Sequence, residues 1–138
     1  MFTTDDLCSL RWDPVSEQVA IIDQTLLPHT LRWCHLDTLE SYCHAISTMQ
    51  VRGAPLIGIT AAYGLAHALS RDASSENLAY AGAALLATRP TAVNLRWALD
   101  EVGNAVRELA PSARARVALE RAHALRDEDI ANCERIGD

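Results

Sequence analysis

The chain has 138 residues and a net charge of −6, and all twelve of its Lys and Arg positions are arginines. With 49% hydrophobic residues it can bury the core of a single domain, which excludes a disordered chain. An acidic chain is also a poor candidate for non-specific nucleic-acid binding, although a few well-placed arginines can still bind a small anion.

The first part of the chain predicts a small antiparallel sheet followed by a helix. Residues 9–13 and 18–24 are short, partly alternating segments separated by Pro14, and residues 31–36 are a third candidate strand after the turn at Pro28. Residues 37–50 are predicted as a helix, with Asp37 as N-cap and Glu40 completing a capping box. The apolar face of this helix is formed by Leu39, Tyr42, Cys43, Ile46 and Met49.

The rest of the chain predicts four more helices, at residues 54–70, 75–87, 91–109 and 112–134. Residues 54–70 carry no charge, but Pro55 and His67 favour a buried helix over a membrane span. Pro90 is expected to open the fourth helix, and Ser112 to cap the fifth. One apolar stripe of the fourth helix is predicted at helical spacing, at Leu95, Leu99, Val102, Val106 and Leu109. The predicted class is therefore α+β and predominantly helical, with a small N-terminal antiparallel sheet and about five packed helices.

The segment from Arg52 to Pro55 is the main candidate for a ligand-binding motif. Gly53 can adopt backbone angles closed to other residues, and Pro55 suits the first position of a helix. The first N–H groups of a helix are unpaired and carry the positive end of its dipole, so such a start binds anions. The planar guanidinium of Arg52 matches a phosphate or a carboxylate. The motif thus predicts an anion site of phosphate size.

A second motif has the same design, because Arg89 comes immediately before Pro90. The proline biases Arg89 towards an extended backbone, which ends the preceding helix and turns the guanidinium outward. Arg52 and Arg89 could then hold one anion between two helix starts. The alternative is that both are surface residues that cap the C-terminal ends of the preceding helices. The matching prolines favour the anion site for the pair.

Several segments together resemble the methylthioribose-1-phosphate isomerases of methionine salvage. The segments are VRGAPLIGITAAYGLA, TRPTAVNLRWAL, SLRWD, VAIIDQTLLP and NCERIG, and they cover nearly the whole chain. Related proteins that share parts of this pattern are the ribose-1,5-bisphosphate isomerases and the regulatory subunits of the translation-initiation guanine-nucleotide exchange factor.

The resemblance implies an aldose–ketose isomerase of which residues 1–138 are the N-terminal, substrate-binding domain. Members of the family are longer, and their catalytic cysteine and aspartate belong to a Rossmann-like second domain. No catalytic residue is therefore identified here, Cys133 included, and the isolated chain is expected to be inactive. The resemblance assigns phosphosugar contacts to Arg52, Gly53, Ala54 and Arg89.

The resemblance also implies the partners and the location of the protein. A phosphosugar is the expected ligand, with no cofactor, nucleic acid or membrane, and the full-length form is expected to be a cytoplasmic homodimer. Reduced cysteines fit that location, since no C-x-x-C pair or signal peptide is evident. The alternative to an enzyme is a non-catalytic helical binding or assembly module, as in the translation-factor relatives.

A cluster of histidines and cysteines between residues 29 and 44 raises the question of a zinc site. The cluster contains His29, Cys34, His35, Cys43 and His44. Its spacings do not match those of zinc sites, and adjacent residues of a strand point to opposite faces. We therefore expect buried thiols and surface histidines, with no metal.

Overall fold

A computed structural model describes residues 10–13, 15, 18–23, 32–51 and 54–137, and the side chains of residues 56–128 within the last range. Its elements are strands β1 (Leu10–Asp13), β2 (Gln18–Ile22) and β3 (Trp33–Leu36), followed by five helices. The helices are α1 (Leu39–Ser47), α2 (Ala54–Arg71), α3 (Ser75–Thr88), α4 (Val93–Val106) and α5 (Pro111–Gly137). The predicted α+β class is confirmed, and no strand occurs between residues 54 and 109, all of which are described.

The three strands form an antiparallel sheet in the order β1-β2-β3. The register pairs Arg11 with Ala20 and Ala20 with His35. Because Ala20 is small, the guanidinium of Arg11 reaches across β2 and lies 3.8 Å from the ring centroid of Trp33. The central strand is almost fully buried, as expected for a strand with neighbours on both edges.

Helix α2 forms the centre of the helical body and packs against the other four helices. Its small residues allow this close approach: a Cβ atom on Gly64 would lie 3.1 Å from the Tyr42 side chain. Nearly every described side chain of α2 is buried, which confirms the predicted buried helix. Within the described ranges, no helix is both long and apolar enough to cross a membrane.

The predicted beginnings of three helices were wrong. The N-cap of α1 is Thr38, not Asp37, and its reciprocal partner is Ser41, not Glu40, since a serine hydroxyl can both donate and accept. Helix α5 begins at Pro111, so Ser112 lies inside it and the proline takes the first position.

The third wrong start concerns Pro90, which does not open α4. The Ala92 N–H donates to the Arg89 carbonyl oxygen at 3.0 Å, so Arg89 and Ala92 are the ends of a four-residue turn. Proline is favoured at the second position of such a turn, where Pro90 stands, and α4 begins only at Val93.

Most predicted inner faces are confirmed, and Met49 is the exception. The apolar stripe of α4 is buried at Leu95, Leu99, Val102 and Val106. Met49, in contrast, lies beyond the end of α1 with a φ of 65°, and its side chain is 42% exposed. The helical spacing of Met49 predicted a continued helix, but the turn ends it two residues earlier.

Candidate functional site

The turn that leaves α1 is fixed by the last carbonyl groups of that helix. The Thr48 N–H and hydroxyl both donate to the His44 carbonyl oxygen, at 2.9 and 2.7 Å. Met49 follows in a left-handed conformation that usually belongs to glycine, and its N–H donates to the Ile46 carbonyl oxygen at 3.3 Å. A methionine held at a positive φ indicates that the surrounding structure imposes this turn.

Two further anchors hold the chain after the turn. Val51 is completely buried, and its N–H donates to the Ala45 carbonyl oxygen at 3.3 Å. The Gln50 side-chain amide donates to the Asp23 carboxylate at 3.0 Å, and the Asp23 N–H donates to the Arg32 carbonyl oxygen at 2.8 Å. The chain is therefore tied both to α1 and to the end of β2 immediately before residue 52.

The predicted substrate-binding residues of this segment are only partly described. Arg52 and Gly53 lie outside the described residues, and Ala54 is described only as the first residue of α2. The convergence of Arg52 with Arg89 therefore stays a prediction.

Arg89 lies at the end of α3, beside the turn that leads to Val51. It is the C-cap of α3, with φ −151° and ψ 75°, so the backbone leaves the helix at Arg89 as predicted, but its ψ falls short of the extended range expected before a proline. Its half-buried side chain donates from Nε to the Ile46 carbonyl oxygen at 3.4 Å. That oxygen also accepts the Met49 N–H, so the C-terminus of α1 contacts both Arg89 and the turn that leads to Val51.

Most N–H donors of the Arg89 guanidinium make no hydrogen bond within the described residues. Its one hydrogen bond within the described part of the chain is long, at 3.4 Å, and neither terminal nitrogen takes part in it. Arg89 does contact a helix C-terminus, as the alternative interpretation expected. The side-chain contact, however, is with α1 rather than with α3, the helix that the backbone of Arg89 ends.

The first turns of α2 and α4 lie against each other at Gly58. A Cβ atom at this position would lie 2.8 Å from the Asn94 carbonyl oxygen and 3.3 Å from the Ala98 Cβ. The N-cap of α4 is Ala92, and no side-chain hydrogen bond caps this helix start. Two helix beginnings are thus neighbours, and that of α4 leaves its first amides without a side-chain acceptor.

Sequence reasoning missed a buried arginine at the start of α5. Arg114 is 6% exposed and donates to three backbone carbonyl oxygens: Ala73 at 2.9 Å, Leu109 at 3.2 Å and Arg107 at 3.3 Å. It joins the α2–α3 loop to the segment between α4 and α5. Its position near the helix start could have indicated this role. The helix dipole disfavours a cation in the first turn, so an arginine there is expected to have other stabilising contacts.

A second polar cluster joins β1, α2 and α5. The Tyr63 hydroxyl lies 2.6 Å from Nδ1 of His123, and the Trp12 ring packs nearly parallel to Tyr63 and edge-on to His123. Burial raises the pKa of the Tyr63 hydroxyl, which therefore stays protonated. Burial, followed by the nearby Arg126 charge, lowers the pKa of His123, so its ring is neutral at pH 7.

His67, predicted to be a core histidine, is half-buried beside the ring of Tyr42, at 5.7 Å between centroids. Burial and then Arg71 lower its pKa. It borders a cavity of about 290 Å³ that is also lined by Trp12 and Tyr63.

The histidine and cysteine cluster does not assemble in the described part of the chain, where no group of three His, Cys, Asp or Glu side chains could hold a metal ion. Cys34 and Cys43 are half-buried free thiols on β3 and α1, and His35 and His44 are exposed. Burial raises the pKa of the Cys43 thiol, which favours its uncharged form. His29 lies outside the described residues.

Comparison with known proteins finds close relatives over most of the chain. This chain is 56% identical over 129 residues to the methylthioribose-1-phosphate isomerase of Dechloromonas aromatica, and the match covers 94% of this chain and 36% of that protein. It is 51% identical to the protein of the same name from Methylobacterium nodulans, covering 91% of this chain and 35% of that protein. The chain thus spans little more than a third of the length of these relatives.

Solved structures with a similar fold include two related proteins. One is the 5-methylthioribose 1-phosphate isomerase of Pyrococcus horikoshii, with a TM-score of 0.80, 30% identity, and coverage of 92% of this chain and 39% of that one. The other is subunit delta of the translation initiation factor eIF-2B from A. fulgidus, with a TM-score of 0.79, 33% identity, and coverage of 88% and 37%. Residues 50–138 match the sequence profile of the Initiation factor 2 subunit family, and the chain belongs to that family.

Proposed function

We propose that this chain is the phosphosugar-binding part of a methylthioribose-1-phosphate isomerase. The observation that carries the proposal is the open guanidinium of Arg89, which lies beside the turn leading to Arg52 in a chain 56% identical to such an isomerase. Under this proposal residues 1–138 form an N-terminal substrate-binding domain. The full-length protein is a cytoplasmic homodimer.

The reaction would convert an aldose 1-phosphate into the ketose 1-phosphate. The phosphate locks the anomeric carbon, so the ring must open without a free aldehyde at hand. A proton or hydride must then move between adjacent carbons, which requires an acid–base pair close to both. The resemblance assigns that pair, a cysteine and an aspartate, to a second domain. The work of this chain is to hold the phosphate and orient the sugar.

The arrangement around Arg89 supports an anion site in three ways. The terminal nitrogens of Arg89 make no hydrogen bond within the described residues, and the α4 start next to it lacks a side-chain cap. The contact at Gly58 places that start against the first turns of α2, whose first residue is Ala54. A guanidinium that precedes a helix beginning closely in the chain favours a phosphate over a neutral ligand at that place.

Calorimetric titration of the chain with methylthioribose 1-phosphate tests the proposal. Arg52→Ala should weaken binding by about 1.5–3 kcal/mol, the value of hydrogen bonds to a charged group, and Arg52→Lys should recover only part of the loss. Gly53→Val should be as damaging as Arg52→Ala, since it blocks the backbone approach. Arg116→Ala is the matched control, because that arginine is 73% exposed on α5. Unchanged affinity in the Arg52 variants would contradict the proposal.

A non-catalytic assembly module is the second candidate, and the fold shared with the eIF-2B delta subunit favours it. Such a module needs no phosphosugar, so a chain that binds neither methylthioribose 1-phosphate nor ribose 1,5-bisphosphate would support it. Preference for the bisphosphate would instead indicate a ribose-1,5-bisphosphate isomerase. Turnover of methylthioribose 1-phosphate by the isolated chain would show that the acid–base pair lies within it.

A further inference from the structure

The cavity of about 290 Å³ beside His67 lies where β1, α1, α2 and α5 meet. Its walls are mainly aromatic and apolar, and they are formed by Trp12, Tyr42, Tyr63, Ala66, Ala115 and Leu119. Ser70 and Arg116 also border it, and both are exposed, so the cavity opens to solvent beside them. His67 lies roughly 20 Å along α2 from Ala54, the first residue of that helix, so the cavity is separate from the proposed anion site.

The aromatic wall of the cavity offers ring surfaces rather than free hydroxyl groups. The Tyr63 hydroxyl lies 2.6 Å from Nδ1 of His123, and the Tyr42 hydroxyl has a hydrogen bond with the backbone of Val19. The Trp12 ring is stacked on Tyr63 with 5.7 Å between the centroids. These contacts hold the rings in place, so the wall is formed before any ligand binds.

His67 is the polar group of the cavity that has hydrogen-bonding capacity left. Its ring separates the cavity from a second hollow, and Asp37 lines only that second hollow. The backbone of Asp37 favours the protonated ring, as a carbonyl acceptor does, so the N–H of one ring nitrogen is directed to Asp37 and away from the cavity. Burial and then Arg71 lower the pKa of His67, so the ring is neutral at pH 7. The other ring nitrogen is then an acceptor, and it makes no hydrogen bond within the described residues.

We propose that this cavity binds a neutral, planar aromatic molecule with one N–H or O–H donor, of which indole is the model. The ring of the ligand packs against the aromatic wall, and its donor meets the free nitrogen of His67. An apolar cavity of about 150 Å³ accepts benzene, and pockets for larger ligands begin at about 300 Å³, so this cavity suits a ligand of two fused rings. An ion would lose its hydration against the aromatic wall, which favours a neutral ligand.

Calorimetric titration of the chain with indole and with indene tests the proposal. Indene has the same bicyclic shape without the N–H, so we expect saturable one-to-one binding of indole and about fivefold weaker binding of indene. His67→Phe removes the acceptor and keeps a ring, so it should weaken indole binding about fivefold and leave indene binding unchanged. An equal effect on both ligands would overturn the role of His67, and no saturable binding of indole to the wild type would overturn the proposal.

Filling the cavity tests where the ligand binds. Ala115→Phe places a ring in the cavity and should abolish binding of both ligands. Ala124→Phe is the matched control, because it makes the same change at another half-buried alanine of α5 that does not line the cavity, and it should leave binding unchanged. Thermal unfolding shows whether each variant folds, and if Ala115→Phe does not, the two ligands and His67→Phe decide the matter.

Two further results would contradict the proposal. A folded Ala115→Phe variant that binds indole as the wild type does would show that indole binds elsewhere. Competition between indole and methylthioribose 1-phosphate would show that the two do not occupy separate sites. A chain that binds indole but no phosphosugar would contradict the proposed function alone.

Discussion

Arg89 and Arg114 both donate to carbonyl groups at helix ends, yet they occupy very different environments. Arg114 is buried and makes three hydrogen bonds to three different carbonyl groups. Arg89 is half-buried and makes one long bond to the end of α1. The number of donors already in hydrogen bonds, rather than proximity to a helix terminus, therefore distinguishes an arginine that stabilises the fold from one that can bind a ligand.

The difference between the two arginines predicts that substitution of Arg114 lowers the free energy of unfolding more than any other change considered below. Arg114→Ala leaves three carbonyl groups without their donor and should lower the free energy of unfolding by about 3 kcal/mol or more, given 1.5–3 kcal/mol for each bond to a charged group and incomplete additivity. Urea unfolding measures this. The control is Arg116→Ala, since that exposed side chain pairs with Glu120 only at 3.8 Å and should change stability by less than about 0.5 kcal/mol.

A similar contrast between two glycines tests the contact that joins the helix starts. Gly58→Ala places a Cβ atom 2.8 Å from the Asn94 carbonyl oxygen, so the helices must shift, and we expect a loss of about 1–3 kcal/mol. Gly82→Ala meets no atom within 4 Å and should stabilise its helix by about 0.5–1 kcal/mol. If both substitutions stabilised the protein, α2 and α4 would not approach each other as described.

Arg89→Ala should separate stability from binding. Because only one long hydrogen bond is lost, unfolding free energy should fall by less than about 1 kcal/mol, while phosphosugar affinity falls by about 1.5–3 kcal/mol. Paired urea unfolding and calorimetric titration give the two values. A loss of stability as large as that of Arg114→Ala would make Arg89 a second structural arginine and contradict the comparison.

The smallest predicted effect is on the pH dependence of stability. The lowered pKa of His123 means that the folded chain resists protonation of this ring more than the unfolded chain does. The contribution of His123 to the free energy of unfolding is fully present above the pKa of the ring in the unfolded chain, about 6.5, and is lost as pH falls below that value. Thermal midpoints at pH 7 and pH 5 should differ less in His123→Asn than in the wild type. An equal difference in both would show that His123 does not contribute.

The sequence predicted periodic structure well and turns poorly. The stripe from Leu95 to Val106 identified α4, because its buried positions repeat at helical spacing. The start of that helix was wrong, since the hydrogen bond between Ala92 and Arg89 holds Pro90 in a turn, and proline suits a turn and a helix start alike.

The site was predictable only through its motifs. Arg89 was identified from its position before a proline, and its side chain lies against the C-terminus of α1, beside the turn that leads to Val51. The bond between Gln50 and Asp23 was not predictable, since it joins residues 27 positions apart whose types carry no pairing signal. The three contacts of Arg114 were missed for the same reason, because each acceptor is a backbone carbonyl group that any residue could supply.

The central claim, that Arg89 binds the phosphate together with Arg52, is tested most directly by a crystal structure of the chain with methylthioribose 1-phosphate. We expect a terminal nitrogen of each guanidinium to lie within about 3.2 Å of the same phosphate group, with the backbone of Gly53 and Ala54 beside it. A phosphate bound elsewhere, or two guanidinium groups directed to opposite sides of the domain, would contradict the claim.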